Sequence, residues 1–540
     1  MLARNPLFEG VSAEALEQLE AAMRRRTFAP REVICRAGEP GDSLFVVLDG
    51  FARVSLPAED GGSRVVARLR RGDIVGEMSL VTGEPRTATV TAAVPTTALE
   101  LSRDAFAGVV AREPRILQSL TRILSERLAA TTAQVVDARA RGEAIALIVG
   151  DSAAAALSDV LAATEAASPR PVVTVDARAS LEPLAGLDEL LSDHGTVLVL
   201  IGLENETAPP ILDGVDRVLA LVSESERGRL VPLEDDAGPL EVVPLGADGR
   251  PADVAWLGRH LSRTKLGLAL GAGGAKGYSH VGVLSVLEEA GYTVDYVSGS
   301  SIGAIVGAWI ALGHGAAEIE AAMRDAFRPE IVEDMFKLSM TGGSTGLETM
   351  TRLLRETTDL KTFADLVIPL VVMTVDLNAR EAAPVTQGPL WEALLAATAL
   401  AGLFPPREQN GRRLVDGLAL VPVPSDAVRE AGADVTVSVN IISRETLPAW
   451  PGSATQADEQ RKARPARMLD TLLEVMDLAQ LDSSEQHAAR ADVPITPRFG
   501  PSTWRDFHLA DLFLEAGRVA ARERLPALAS LARPQSGHYH

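Results

Sequence analysis

The stretch "TVDYVSGSSIGAIVGAWIALG", residues 293–313, constrains the fold of this chain more than any other. A β-branched apolar run meets Gly299-Ser300-Ser301-Ile302-Gly303, and a run of small apolar residues follows. The pattern is G-x-S-x-G between a predicted strand and a predicted helix, that of a nucleophile elbow. In this phase Ser301 is the nucleophile and Ser300 the variable position. Gly299 and Gly303 leave room for a sharp turn that exposes one hydroxyl. The first amides of the following helix favour developing negative charge.

Upstream, "LGLALGAGGAKGYSHVGVL" predicts a strand, a glycine-rich turn and a helix. Such a turn presents backbone N–H groups to an anion. It lacks the Lys-Ser/Thr ending of a P-loop, so an oxyanion hole for a tetrahedral acyl intermediate is the better reading. The expected contributors are Gly271, Gly273, Gly274, Lys276 and Gly277. A serine needs a base, and Asp416 lies in an Asp-Gly turn after "GRRLV". On the residues alone, an ordinary β-turn aspartate is the favoured reading of Asp416. His280 is read as a helix-surface or packing residue and Asp376, in "MTVDLNARE", as structural.

Taken in order, "GAGGAKG", "GSSIG" and "DGL" followed by "AGADVTVSVNI" resemble the patatin-like phospholipase family over roughly residues 265–445. That resemblance implies a Ser–Asp dyad without a catalytic histidine, with Ser301 as nucleophile and Asp416 as general base. The chain departs from the family pattern at three places: Ala272 and Leu418 stand where Gly or another small residue is usual, and Lys276 where Arg is commoner.

Residues 1 to about 110 read as a β-rich domain, because "DSLFVVLDG", "FARVSLPAEDGG", "SRVVARLRRGD" and "TATVTAAVPTTALEL" are short β-branched runs broken by turn residues. "GDIVGEMSLVTGEPRTATV", residues 72–90, suits a ribose cyclic phosphate and resembles the phosphate-binding cassette of cyclic nucleotide-binding domains. The resemblance implies Glu77 on the ribose and Arg86 with Thr87 on the phosphate, with Gly76, Met78 and Ser79 completing the cassette. Ser79 stands where Ala is usual. Ile116, Leu117, Leu120, Ile123, Leu124 and Leu128 then recur at helical spacing. Their stripe suits a partner helix in a homo-oligomer or packing on its own domain.

Residues 143 to about 250 alternate short apolar strands with helix-length stretches, an α/β pattern with a parallel sheet. "GDSAAA" after the first strand is neither a P-loop nor a dinucleotide fingerprint, so a linker without chemistry of its own is expected.

The whole reads as three domains: a β-roll cyclic nucleotide-binding domain with a trailing helix (1–140), an α/β Rossmann-like linker (141–255) and an α/β patatin-like serine hydrolase with a helical C-terminal region (256–540). This order resembles the bacterial form of the neuropathy target esterase group. The expected function is a cyclic-nucleotide-responsive hydrolase of lipids or lysophospholipids, with cAMP or cGMP as effector and no cofactor or metal for catalysis. Its rivals are a catalytically weak or dead patatin-like domain in a cyclic nucleotide sensor or regulatory protein, an acyltransferase with the same dyad, and a nucleotide-dependent transcription factor. A formal net charge of −21 argues against nucleic-acid binding and against attraction to anionic membranes. One cysteine, Cys35, rules out an internal disulfide framework. No signal-peptide pattern and no spanning apolar segment is read. The expected location is the cytoplasm, with peripheral contact at a membrane.

Overall fold

The computed structural model describes residues 22–29, 32–57, 63–69, 72–77, 79, 83–92, 95–110, 142–178, 190–191, 193–203, 212, 215–230, 240–246, 248–335, 346–400, 403–444, 468–500 and 502–534. Their described parts fall into two compact units, 1–165 with 170–257 and 166–169 with 258–540.

In the first unit the predicted β-runs form two antiparallel four-stranded sheets. One has the order Arg24–Phe28, Thr96–Ser102, Ser43–Asp49, Ile74–Val75; the other Val33–Cys35, Thr89–Ala92, Ala52–Pro57, Ser63–Leu69. Alternation drives the pairing: along Thr89–Ala92 the second and fourth residues, Val90 and Ala92, are buried. Phe28 and Phe45 meet edge-to-face in the core, with centroids 6.1 Å apart. The apolar helical stripe of 116–128 lies outside the described residues.

The α/β segment of this unit is a five-stranded parallel sheet in the order Val172–Asp176, Thr196–Gly202, Glu143–Val149, Arg217–Val222, Glu241–Pro244. The first strand in sequence is central. Its run of buried residues, Ala144 to Val149, is the mark of a strand covered on both faces.

The second unit is built on an eight-stranded mixed sheet. Leu266–Leu270, Val294–Ser300, Leu370–Asp376, Val435–Val439 and Val493–Ile495 run parallel, while Glu381–Val385 and Arg412–Asp416 pair antiparallel with Leu370–Asp376. Leu270 stands opposite both Gly299 and Val439, so three strands end at one level. Register then carries the site across the sheet. Ser300 opposes Met373, and Thr374 opposes Asp416. The strand Leu370–Asp376 thus lies between the serine strand and the aspartate strand and brings Asp416 level with the end of the serine strand. Among the described residues no helix is long and apolar enough to cross a membrane.

Candidate active site

Ser301 sits between the strand Val294–Ser300 and the helix Ile302–Ala311 with φ 54° and ψ −125°. That left-handed conformation costs a non-glycine residue roughly 1–3 kcal/mol. The surrounding glycines make it sterically attainable. A Cβ on Gly303 would lie 2.3 Å from the Leu270 carbonyl oxygen, and one on Gly299 would lie 2.3 Å from that of Gly303. Ser300 turns away: it is buried, and its Oγ donates to the Val421 carbonyl at 2.6 Å.

Ser301 Oγ donates a 2.7 Å hydrogen bond to Asp416 Oδ2. The other carboxylate oxygen accepts from the Leu418 amide at 2.8 Å, which fixes the rotation of the carboxylate. Gly417 is needed between them, because a Cβ there would meet Met373 O at 2.7 Å and Ser300 Oγ at 2.8 Å. Burial raises the Asp416 pKa to about 7, against the lowering effect of the bonds from Leu418 and Ser301. A carboxylate poised near neutrality can accept a proton from a hydroxyl and return it.

Ser301 and Asp416 both line an apolar cavity. Ile302, Ile305, Phe327, Met335, Met350, Leu403, Phe404, Met476, Trp504 and Phe507 line it. Among the five glycine-loop residues expected at the oxyanion, only Gly273 and Gly274 line this cavity. Gly273 has φ +156° and Gly274 φ +59°, and a Cβ on Gly274 would lie 2.4 Å from the Trp504 carbonyl oxygen.

The other three have different surroundings. The Gly271 amide donates to Val439 O at 3.0 Å, continuing the sheet. The Lys276 amide bonds Gly273 O at 3.3 Å, and its ammonium lies 5.7 Å from the centre of the Phe499 ring. Gly277 is packed against Ile302 so closely that a Cβ would be 2.4 Å from its Cγ1. In sequence the five look alike, and only their partners separate them.

His280 is not a surface residue. It is fully buried, and its Nε2 lies 2.8 Å from the Gly271 carbonyl, with which it hydrogen-bonds as donor. Burial lowers its pKa to about 4, so the ring is neutral near pH 7. Its hydrogen bond goes to the glycine loop, whereas that of Ser301 goes to Asp416. Asp376 accepts from the amides of Asn378 and Arg413 at 2.9 and 3.3 Å and thereby braces the neighbouring strand end. Two departures from the family pattern are also neighbours: Ala272 and Leu418 share one buried cluster with Ile442. Leu418 contributes its amide to Asp416 and its side chain to that packing.

In the first unit Glu77, Ser79 and Arg86 are buried and Thr87 is exposed; Met78 lies outside the described residues. The Arg86 guanidinium donates to Gly76 O at 3.1 Å and to Ser43 O at 2.6 Å. Gly76 has φ +88°, and a Cβ on it would collide with Arg86 Nη1 at 2.0 Å. Arg86 therefore braces the turn that carries Glu77. In the parallel sheet, the carboxylate of Glu226 lies at the end of the central strand, where it accepts from the amides of Ser152 and Ser223 at 3.2 and 2.9 Å. Burial pushes its pKa up, but the bonds from Ser152 and Ser223 outweigh this and hold it at about 2. An internal anion thus fills the helix-start position that a ligand anion would take. Among the described residues no cluster of three His, Cys, Asp or Glu side chains is placed to hold a metal ion.

Comparison with known families matches residues 268–428 to the patatin-like phospholipases and residues 25–113 to the cyclic nucleotide-binding domains. The chain carries a patatin-like phospholipase domain behind a cyclic nucleotide-binding domain. An uncharacterized NTE family protein of Mycobacterium tuberculosis is 26% identical over 98% of this chain and 96% of its own length. Human patatin-like phospholipase domain-containing protein 6 is 24% identical over 80% of this chain, which corresponds to 38% of the human protein. A second NTE family protein, from Mycobacterium bovis, reaches 33% identity over 37% of this chain and 55% of its own length. The patatin-like match begins within the strand before the glycine loop and ends after Asp416, so it encloses Ser301 and the cavity's glycine wall.

Proposed function

We propose that the protein is a serine lipid hydrolase acting on carboxylic esters, with activity governed by a cyclic nucleotide. The observation that carries the chemistry is the Ser301–Asp416 hydrogen bond in the lining of an apolar cavity. Ser301 Oγ attacks the ester carbonyl carbon while its proton passes to Asp416 Oδ2. The oxyanion that forms is stabilised by the amides of Gly273 and Gly274 and by the start of the helix Ile302–Ala311. Collapse of this intermediate expels the alcohol, which takes the proton from Asp416, and leaves an acyl group on Ser301. A water gives its proton to Asp416 and attacks the acyl carbon; the acid departs and Ser301 recovers its proton. The apolar lining suits the acyl part of a lipid or lysophospholipid, met at the surface of a membrane.

For control, Glu77 is assigned to the ribose and Arg86 with Thr87 to the phosphate of cAMP or cGMP. The proposed division of labour is sensor at 1–140, linker at 141–255 and hydrolase at 256–540. The test is a panel of lysophospholipid, phospholipid and short-chain esters, run with and without cAMP and cGMP, with fluorophosphonate labelling of Ser301. Turnover and labelling lost together in Ser301→Ala support the hydrolase. Wild-type protein that takes up no label and turns over no ester refutes it.

A further inference from the structure

Phe327 and Phe507 both line the cavity, and their rings stack with centroids 4.7 Å apart and planes 19° from parallel. At that separation the faces are in van der Waals contact, and no methylene passes between them. Each ring is held by its own element. Phe327 caps the helix Ala316–Ala326, with its amide bonded to Met323 O at 2.9 Å, and is buried. Phe507 opens a short 3-10 turn; its amide bonds Arg505 O at 2.8 Å, and Asp506 ties the turn back to the Thr503 amide at 2.7 Å. Two independently anchored rings in contact make a wall that does not open by rotation of one side chain.

Ser301 lines the same cavity, and this gives the wall a task. Ile302 and Ile305 line the cavity one turn apart on the helix that begins at the nucleophile. The cavity therefore runs along that helix for about 4.5 Å. An acyl chain bound with its carbonyl at Ser301 has this apolar path to follow. The loop that carries Phe507 also carries Trp504, whose carbonyl accepts from the Ala275 amide at 2.8 Å and closes over Gly274. One loop thus braces the glycine turn and provides half of the wall.

The geometry points to the Phe327–Phe507 stack as the residue pair that sets the longest acyl chain the site accepts. The substrate class that follows is an ester of a single unbranched acyl chain, sorted by length at this wall. The inference rests on the ester-hydrolase reading above for its biological meaning, while the wall itself can be probed without catalysis.

The experiment uses the full chain as wild type, Phe327→Ala, Phe507→Ala and the milder Phe327→Leu. Two series are measured on each: affinity for saturated fatty acids from octanoate to stearate, by competition against a fluorescent fatty acid, and kcat/KM for p-nitrophenyl esters of the same chains. Removing one ring is expected to move the preferred length up by about two to four methylenes in both series. The ratio of long-chain to short-chain kcat/KM should rise about tenfold or more, each ratio taken within one variant. Phe327→Leu, which keeps the core filled, should shift in the same direction by less and decides the matter if the alanine variants do not fold. A shift in fatty-acid affinity without ester turnover in any variant would sink the hydrolase reading and leave the wall standing. Unchanged length profiles in folded variants, with wild-type turnover intact, overturn the inference.

Discussion

Ser301 Oγ and Asp416 Oδ2 are 2.7 Å apart although 115 positions separate them in the chain. The contact crosses the strand Leu370–Asp376, and neighbouring Ser300 is bonded elsewhere, to Val421. This division of two adjacent hydroxyls sets the first expectation. Ser301→Ala should abolish ester turnover and fluorophosphonate labelling. Ser300→Ala should lose one buried hydrogen bond, worth about 1–2 kcal/mol of stability, and retain turnover. Equal loss of activity in two folded variants, measured beside their melting temperatures, would reverse the assignment.

Asp416→Asn should lower kcat by about two to four orders of magnitude, because the hydroxyl then lacks a proton acceptor. With its pKa raised to about 7 by burial, the base is active only when ionised, so kcat should climb with pH and level off above about 7. A flat profile between about pH 5 and 8 would contradict that role.

The same carboxylate has a stability signature. Its folded pKa lies above the ordinary aspartate value of 3.8, so the folded state holds its proton more tightly than the unfolded chain does. The resulting stabilisation is fully present below about pH 4 and is lost as pH rises through about 7, on the order of 4 kcal/mol in all. Asp416→Asn should therefore melt higher than wild type at about pH 8, and the difference should narrow toward about pH 5. Thermal melts of both proteins across that range provide the check.

His280 carries the opposite sign. Its folded pKa of about 4 lies below the ordinary 6.5, so its contribution is present above about pH 6.5 and is lost as pH falls toward about 4. His280→Gln should flatten that part of the stability profile. Because His280 holds the Gly271 carbonyl and not Ser301, the variant should keep far more activity than Asp416→Asn and leave the pH–rate midpoint in place. A folded His280→Gln as inactive as Asp416→Asn would place the histidine in the chemistry.

Arg86 makes hydrogen bonds that a merely ligand-facing arginine would not. Its bonds to Gly76 and Ser43 mean that Arg86→Ala should lower both cyclic nucleotide affinity and the melting temperature of the first unit, by about 2–3 kcal/mol of stability. Glu77→Gln should act on affinity more than on melting. Calorimetric titration with cAMP and cGMP, alongside melts, distinguishes the two. Wild type that binds neither nucleotide would leave Arg86 with its bracing role alone.

The sequence by itself determined what depends on neighbours in the chain. G-x-S-x-G shows its phase directly, since the bulk-free positions must flank the nucleophile within one turn. Short β-branched runs broken by turn residues marked the β-rich domain, and apolar runs separated by helix-length stretches marked the parallel sheet. The cassette at 72–90 and the Asp-Gly turn were equally legible as local patterns.

Tertiary structure alone decided which of several chemically similar groups meet. Asp416 rather than Asp376 reaches the serine because of strand register, which nothing near either aspartate encodes. Gly271, Gly273 and Gly274 look interchangeable in a glycine-rich run, yet one amide joins the sheet while the other two residues face the cavity. His280 gave no sign of bonding a loop carbonyl, since its partner depends on how the following helix packs. Ala272 and Leu418 read as separate departures from a pattern and prove to pack in one cluster. A local motif can prescribe backbone shape and side-chain type. Distances between strands, burial, and the pKa values that follow from burial arise only when remote segments exclude water together.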